Sequence, residues 1–472
     1  MVCQQGGDMD LTRLFYPSSL AVVGASPNLG GGKVPYYQFN QAAGFKGKIY
    51  PVNPAYQQID GIKVYPSLAD IPETVDYAIF SVPARLAIEN LKIAVDKGIP
   101  FVHFFTSGFS ETGNSELEAE MLDTIKGHDT HIVGPNCFGT YCWEAGLTYS
   151  FRVSQSEPGS VAFLGQSGSL SDLVLTIASA RGIPVNKAVS YGNQIDLKIE
   201  NYLDYLADDN DISVIAAYVE DIKNGSAFLN ALKKACSKKR VIIMKGGITQ
   251  QGARAAQSHT GALMQSGKLF STAVRQAGCI TVQSFEELMD TVMTAVSPKQ
   301  PAGNRVGYVG GGGGISVIAA DVCWEKGLVM PSLATNTVQK IKEKTAEVNT
   351  SFVNPVDLGA FGYNHDTLLN IIEIMAADHN LDILIPQFII GIFPTEPAYD
   401  PNAFLQRLKQ LPKPVFPIIS TFSEHNAAHL AAKSEMFRLF RKANLPVFNN
   451  IQEAATAVRN ILSLSPNIGT IR

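Results

Sequence analysis

The chain has 472 residues, of which 46% are hydrophobic and 17% charged, and carries a formal net charge of −4. That length exceeds a single ordinary core, since domains run to about 150 residues. The mildly acidic balance excludes nucleic acid or an anionic membrane as an electrostatic partner, so any anion must be held locally.

The opening segment, MVCQQGGDMD, has no cationic start followed by an apolar run, and no stretch approaches about 18 consecutive apolar residues. A cytoplasmic chain is predicted. Cys3, Cys137, Cys142, Cys236, Cys279 and Cys323 form no CxxC pair and no zinc spacing, which predicts free thiols and no metal site.

From the N-terminus onward, short apolar runs alternate with helical stretches: SLAVVG, KIYPVN, YAIFSVP, FVHFFTSG and HIVGPN, each followed by a turn. Continuous apolar strands of this kind are buried on both faces, which predicts an α/β fold of doubly wound parallel sheets. Three domains are expected: a Rossmann-like one over 1–155, a second over 156–297, and a third over 304–472 after the linker SPKQPAGNR. The second and third read as copies. Gly165 and Gly310, Gly168 and Gly313, and Gly182 and Gly327 are each 145 positions apart. The first two of each set suit a tight strand-to-helix turn and the last a helix C′ position.

A glycine-rich turn opening a helix presents unpaired N–H groups at the positive end of the helix dipole, a ready anion site. The chain has three such turns. The first, Gly24-Ala25-Ser26 continuing to Gly30-Gly31-Gly32-Lys33, is no P-loop, because Val34 stands where Ser or Thr would hold magnesium. It is no dinucleotide fingerprint either: the GxGxxG spacing is absent, and Val52-Asn53-Pro54 offers no acid for a ribose. A phosphate-bearing ligand other than NAD fits, and a plain tight turn is the alternative. The second turn is Gln166-Ser167-Gly168-Ser169, and the third is Gly311 to Gly314.

Between these two, AAQSHTGAL places His259 among small residues. Two readings stand open: a satisfied loop histidine, or an imidazole that carries a group. If the two copies aim their helix amides at one point, a phosphorylated imidazole there gains about 0.3–2 kcal/mol per helix terminus. Glu220, closing the strand AAYVE, is either a strand-end acid or a partner of that ring.

In order along the chain, AVVGAS, FKGKIYPVNP, GPNCFG, FLGQSGSLSD, YGNQID, YVEDIKNG, SHTGAL, the last glycine-rich turn and NPVDL resemble the α subunits of NDP-forming acyl-CoA synthetases, the ADP-forming acetate–CoA ligases related to succinyl-CoA synthetase. The resemblance covers nearly the whole chain. It implies a CoA-binding first domain, two flavodoxin-like domains, and a phosphohistidine at His259 oriented by Glu220. Ser167, Gly168, Ser169, Gly312 and Gly313 become phosphate-cradling residues. CoA is assigned to Gly24, Ala25, Ser26, Lys46, Asn53, Val82, Pro83, Thr106, Ser107, Gly108, Asn136 and Cys137. The implied chemistry is acyl-CoA, ADP and phosphate to a small carboxylic acid, CoA and ATP, reversibly. No Mg-nucleotide cluster is evident in the sequence, and the resemblance implies that ADP/ATP and Mg lie on an ATP-grasp β subunit, giving a hetero-oligomer. The rival readings are a CoA-binding scaffold without turnover and an NAD(P)-dependent oxidoreductase, the latter opposed by the spacing at Gly24.

Three further features have ordinary explanations. Lys245 in Met244-Lys245-Gly246-Gly247 reads as a strand-end lysine, and His425 and His429 lack a third metal ligand. Ser237-Lys238-Lys239-Arg240 is too short for a nucleic-acid patch.

Overall fold

The computed structural model describes residues 9–28, 34–153, 157–260, 267–345, 349–391, 400–423 and 425–464, without the side chains of 257–260 and 268. The chain divides into two compact units, Met1–Gln283 and Ser284–Arg472.

Among its described residues the first unit holds two open sheets. In one, β1 (Ser19–Val23), β2 (Lys48–Val52), β5 (Tyr77–Phe80), β6 (Phe101–Phe104) and β7 (His131–Val133) lie in the order β2-β1-β5-β6-β7, all parallel. A small antiparallel pair, β3 (Gln58–Ile59) and β4 (Ile62–Lys63), stands apart from it. β1, β5 and β6 are buried at every position, as strands covered on both faces must be. Pro51 sits in β2, the edge strand, where a missing amide costs no internal ladder bond.

The second sheet contains β8 (Gly139–Cys142), β9 (Val161–Gly165), β10 (Val185–Ser190), β11 (Val214–Val219), β12 (Arg240–Lys245) and β13 (Ile280–Val282), in the order β13-β12-β11-β9-β10-β8. It is parallel except for β8, which runs antiparallel along β10. The segment 1–155 therefore lends its last strand to the sheet that follows. GTYC is short, and only long-range pairing reveals it as a strand.

Among its described residues the second unit has one sheet, β14 (Val306–Gly310), β15 (Val356–Asp357), β16 (Ile383–Ile390) and β17 (Ile418–Thr421), in the order β15-β14-β16-β17, all parallel. Pro386 lies where β16 leaves the β14 ladder for that of β17, so its lack of an N–H is tolerated in a central strand. The helix Phe285–Ala295 belongs to this unit, packed on the last helix Ile451–Leu462, with the Asn460 amide donating to Glu287 (2.9 Å) and Thr291 (3.0 Å).

The duplication read from the glycines is present in the fold. Gly165 and Gly310 end β9 and β14, Gly168 and Gly313 begin the helices Gly168–Arg181 and Gly313–Glu325, and Gly182 and Gly327 leave them at φ of +69° and +73°. Among the described residues no helix is long and apolar enough to cross a membrane, and Cys137, Cys142, Cys236, Cys279 and Cys323 are free thiols.

Candidate functional site

In an open α/β sheet the ligand crevice lies at the carboxyl ends of the strands, where the strand order reverses. In the first sheet the reversal falls between β1 and β5, whose ends lead into Gly24-Ala25-Ser26 and Ser81-Val82-Pro83. In the second it falls between β9 and β11, whose ends lead into Gln166-Ser167-Gly168 and Glu220-Asp221. The predicted anion turns thus sit at the switch points.

Both sheets of the first unit feed one cleft of about 520 Å³. Val82, Pro83, Thr106, Ser107, Asn136 and Cys137, all assigned to CoA from the resemblance, line it together with Ser167, Gly168 and Ser169, assigned to phosphate. Two helices begin at its wall, Ala84–Asp96 after Pro83 and Gly168–Arg181 after Ser167. Their first amides supply a positive end of the helix dipole. The described lining residues are all uncharged, so a bound anion would be met by amides and hydroxyls.

Local bonds fix these residues. The Thr106 hydroxyl donates to the Val82 carbonyl (2.6 Å) and the Asn136 amide to the Thr106 carbonyl (3.0 Å), with Asn136 at φ +57°. The Ser167 hydroxyl caps its helix through the Leu170 amide (3.5 Å) and lies 3.4 Å from the Ser169 hydroxyl. Cys137 is buried, its thiol 3.9 Å from the Phe104 carbonyl, and burial pushes that thiol far above its ordinary range. It is no thiolate nucleophile at neutral pH.

Gly24, Ala25 and Ser26 line a separate narrow recess beside Ser81. Gly24 has φ +91°, and a Cβ there would come 2.4 Å from the Ser81 carbonyl, so the turn depends on glycine. Asn53 is spent on holding this turn: its side-chain amide donates to the Ala25 carbonyl (2.8 Å) and its oxygen accepts from the Ala55 amide (2.9 Å). Gly30 to Lys33 lie outside the described residues.

Lys46 is not brought to the cleft. It stands just before β2, at the amino ends of the strands, and lines a different depression with Trp143 and Glu144. Gly108 is absent from the cleft wall as well, and its amide donates to the Glu111 carboxylate (2.6 Å). In the second unit the Gly312 amide is taken by Asp357, whose Oδ1 also accepts from Gly359, both at 2.9 Å. An anion at that turn would compete with a built-in carboxylate, which leaves Gly313 the freer of the two for the expected role.

Glu220 is 6% exposed at the end of β11. Its amide and that of Asp221 both donate to the Gln166 side-chain oxygen, at 2.8 and 2.9 Å. Nearby, the Lys245 ammonium donates to the carbonyls of Glu220 (2.8 Å) and Gly246 (2.6 Å). Burial lowers the Lys245 pKa, opposed by the charges of Asp221 and Glu220. The Tyr218 hydroxyl is pushed up by burial and then by Glu220. His259 falls in the last turn of the helix Gln250–Thr260, which packs on the turn Ser110–Thr112, and its side chain lies outside the described residues.

The sequence reading missed Ser81, Phe105, Phe138 and Gly192 in the cleft wall, and named Gln166 only as the start of the second turn. Ser81, Phe105 and Phe138 directly adjoin residues it named, and Gly192 belongs to the motif YGNQID, so proximity was the available signal.

A model of a CoA binding domain matches residues 18–142, and one of a succinyl-CoA ligase like flavodoxin domain matches 158–295. The α subunit of ADP-forming acetate–CoA ligase II of Pyrococcus furiosus is 31% identical over 466 residues, 97% of this chain and 99% of that subunit. The chain belongs to the NDP-forming acyl-CoA synthetase family. Within that family the ADP-forming acetate–CoA ligase of Methanocaldococcus jannaschii is 35% identical over 356 residues, 75% of this chain, and the match spans only half of that longer relative. Among solved structures, the dinucleotide forming acetyl-coenzyme A synthetase 1 of Ca. Korarchaeum cryptofilum, in complex with phosphate and ADP, superposes with a TM-score of 0.85 at 28% identity over 97% of each chain. A Pyrococcus horikoshii protein superposes at 0.81 with 27% identity, over 98% of this chain. In this chain, then, the sheet matched by the CoA binding domain model and the sheet matched by the flavodoxin-like domain model line one cleft, with the glycine-rich turn of the second sheet in its wall.

Proposed function

We propose that this chain is the α-subunit-like part of an ADP-forming acyl-CoA synthetase, interconverting acyl-CoA, ADP and phosphate with carboxylic acid, CoA and ATP through a phosphohistidine at His259. The observation that carries the reading is the convergence of Ser167-Gly168-Ser169 with Val82-Pro83, Thr106-Ser107 and Asn136 in one cleft. Amides from two helix N-termini and neutral hydroxyls suit a phosphate or acyl phosphate, which needs positioning and charge neutralisation above all.

Three displacements follow. A phosphate oxygen attacks the thioester carbonyl, the C–S bond breaks, and the CoA thiolate leaves and takes a proton. The neutral imidazole of His259 then attacks phosphorus, the P–O bond to the acyl oxygen breaks, and the carboxylate departs. The phosphoimidazole keeps a proton on its other nitrogen, where the Glu220 carboxylate stabilises the charge. Finally an oxygen of ADP attacks phosphorus and the N–P bond breaks to give ATP. Nucleotide and magnesium are assigned to an ATP-grasp partner, and CoA to the cleft and the Gly24 recess.

The test is a label. Incubated with acyl-CoA and radiolabelled phosphate, the chain should acquire acid-labile, base-stable phosphorus, and H259A should acquire none. Label that persists in H259A would overturn the assignment of the carrier. Without a partner, ADP phosphorylation should be negligible.

A further inference from the structure

Gln166 lies at the switch point of the second sheet and joins two things the chemistry needs together. Its backbone begins the turn Ser167-Gly168-Ser169, and its own amide donates to the Tyr218 carbonyl (3.1 Å). Its side chain, 2% exposed as a residue, crosses to the neighbouring strand end, where one oxygen receives two N–H groups, those of Glu220 and Asp221. β11 has run out of ladder there: the register with β9 ends at Tyr218 opposite Gly165. Beyond it, the two consecutive amides meet the Gln166 side-chain oxygen in place of the β9 ladder. A buried unpaired amide costs about 1–3 kcal/mol by general experience, so an acceptor at this spot decides where the chain goes next.

We infer that Gln166 is a positioning residue for phosphoryl transfer, a side-chain splint that sets the direction of the Glu220 carboxylate relative to the phosphate-holding turn. The inference rests on the proposed role of Glu220 and goes beyond it. Gln166 does not touch the reacting atoms in this scheme. It acts by holding the main chain that carries Glu220, while its own main chain starts the cradle. A shift of the cradle is thereby transmitted to Glu220 over two hydrogen bonds. Asn at this position would be one methylene too short to span the strands, and Leu would keep the volume while removing the acceptor. Glu would keep an acceptor at the same reach and add a negative charge beside Glu220.

The experiment uses the full chain and ³²P-labelled acetyl phosphate as phosphoryl donor, reading the single-turnover rate of acid-labile label. Q166L is expected to lower that rate by about 10- to 100-fold, the cost of a misplaced catalytic group, with little change in the donor concentration giving half-maximal rate. In an E220Q background the same Q166L change should cost less than about threefold, because the group it positions is already gone. Q166E keeps an oxygen acceptor at the same reach and is expected to stay within about threefold of the parent rate. Rescue by the acceptor-bearing variant is a result that lost packing alone would not produce, and it serves as the readout if Q166L does not fold.

If Q166L keeps the parent rate, or loses the same factor in the E220Q background, the positioning role is overturned while the phosphohistidine stands. A Q166E rate lowered by about 10-fold or more overturns it too. If E220Q alone matches the parent, or the parent takes no label, the failure lies in the underlying reading and the inference falls with it.

Discussion

Gly168 is where the two anion-site ingredients, close backbone approach and an aromatic floor, meet in one residue. A Cβ on it would come 2.6 Å from the Phe138 ring, which no real Cβ tolerates. Phe138 is itself held, its amide donating to the Ser190 hydroxyl (3.0 Å) and its carbonyl accepting from Tyr36 (3.1 Å). G168A should therefore displace the ring or the helix start, cost about 1–3 kcal/mol of stability, and weaken phosphate binding. Calorimetric titration of phosphate checks it, and unchanged affinity would count against the turn as an anion cradle. A second residue, His103, sets a pH dependence. It is fully buried in β6, one ring nitrogen 2.9 Å from the Cys137 carbonyl, and burial pushes its pKa down to about 4. An unfolded histidine titrates near 6.5, so between about 6.5 and 4 the unfolded chain binds the proton and the folded chain does not. The stabilisation is full above 6.5 and is lost as pH falls, on the order of 3 kcal/mol in total. Urea unfolding at pH 7 and pH 4.5 should show a smaller acid loss in H103Q than in the parent.

At the scale of elements, the duplicated strand-turn-helix units solve the same problem in two ways. In the first copy Ser167 caps the helix and the amides beyond it face the cleft; in the second, Gly312 occupies the cap and Asp357 supplies the anion from β15. D357A leaves the Gly312 and Gly359 amides without their acceptor and should cost about 1–3 kcal/mol, read as a lower melting temperature. An unchanged melting temperature would mean that water replaces the carboxylate at no cost. The glycine register made both turns legible, because Gly at a strand end and Gly at helix C′ are required by backbone geometry alone. Gln166 and Asp357 were not legible as supports. Each acts across roughly fifty residues of sequence, and nothing local to QSGS or NPVDL announces which distant amide it meets. The place of Lys46 was not legible for a related reason: a lysine beside a strand carries no mark of which end of the sheet it occupies. The helix Gln250–Thr260 carries three alanines, the strongest helix formers, but its Gly252, Ser258 and Thr260 read equally well as a loop.

For the molecule as a whole, the apolar runs made the parallel sheets readable, but the borders between them depend on pairing that sequence periodicity does not express. β8 is the clearest instance. It closes the β10 edge of the second sheet, with Ser190 opposite Gly139 and Lys187 opposite Cys142. β10 also carries Lys187, fully buried, whose ammonium meets Asp209 at 2.9 Å and stands over the Tyr16 ring at 5.0 Å. A fragment of 156–297 would strip β8 and Tyr16 from that edge, exposing a row of unpaired amides and a charge pair built for a dry setting. It would also strand the helix Phe285–Ala295, whose packing partner lies at Ile451–Leu462. A fragment of 9–283 keeps both sheets and every contact around Lys187. The longer fragment should unfold in one cooperative transition, and the shorter should aggregate or melt lower. Should 156–297 prove as stable and as soluble as 9–283, the antiparallel strand would be dispensable, and the two sheets of the first unit would fold independently of the chain that joins them.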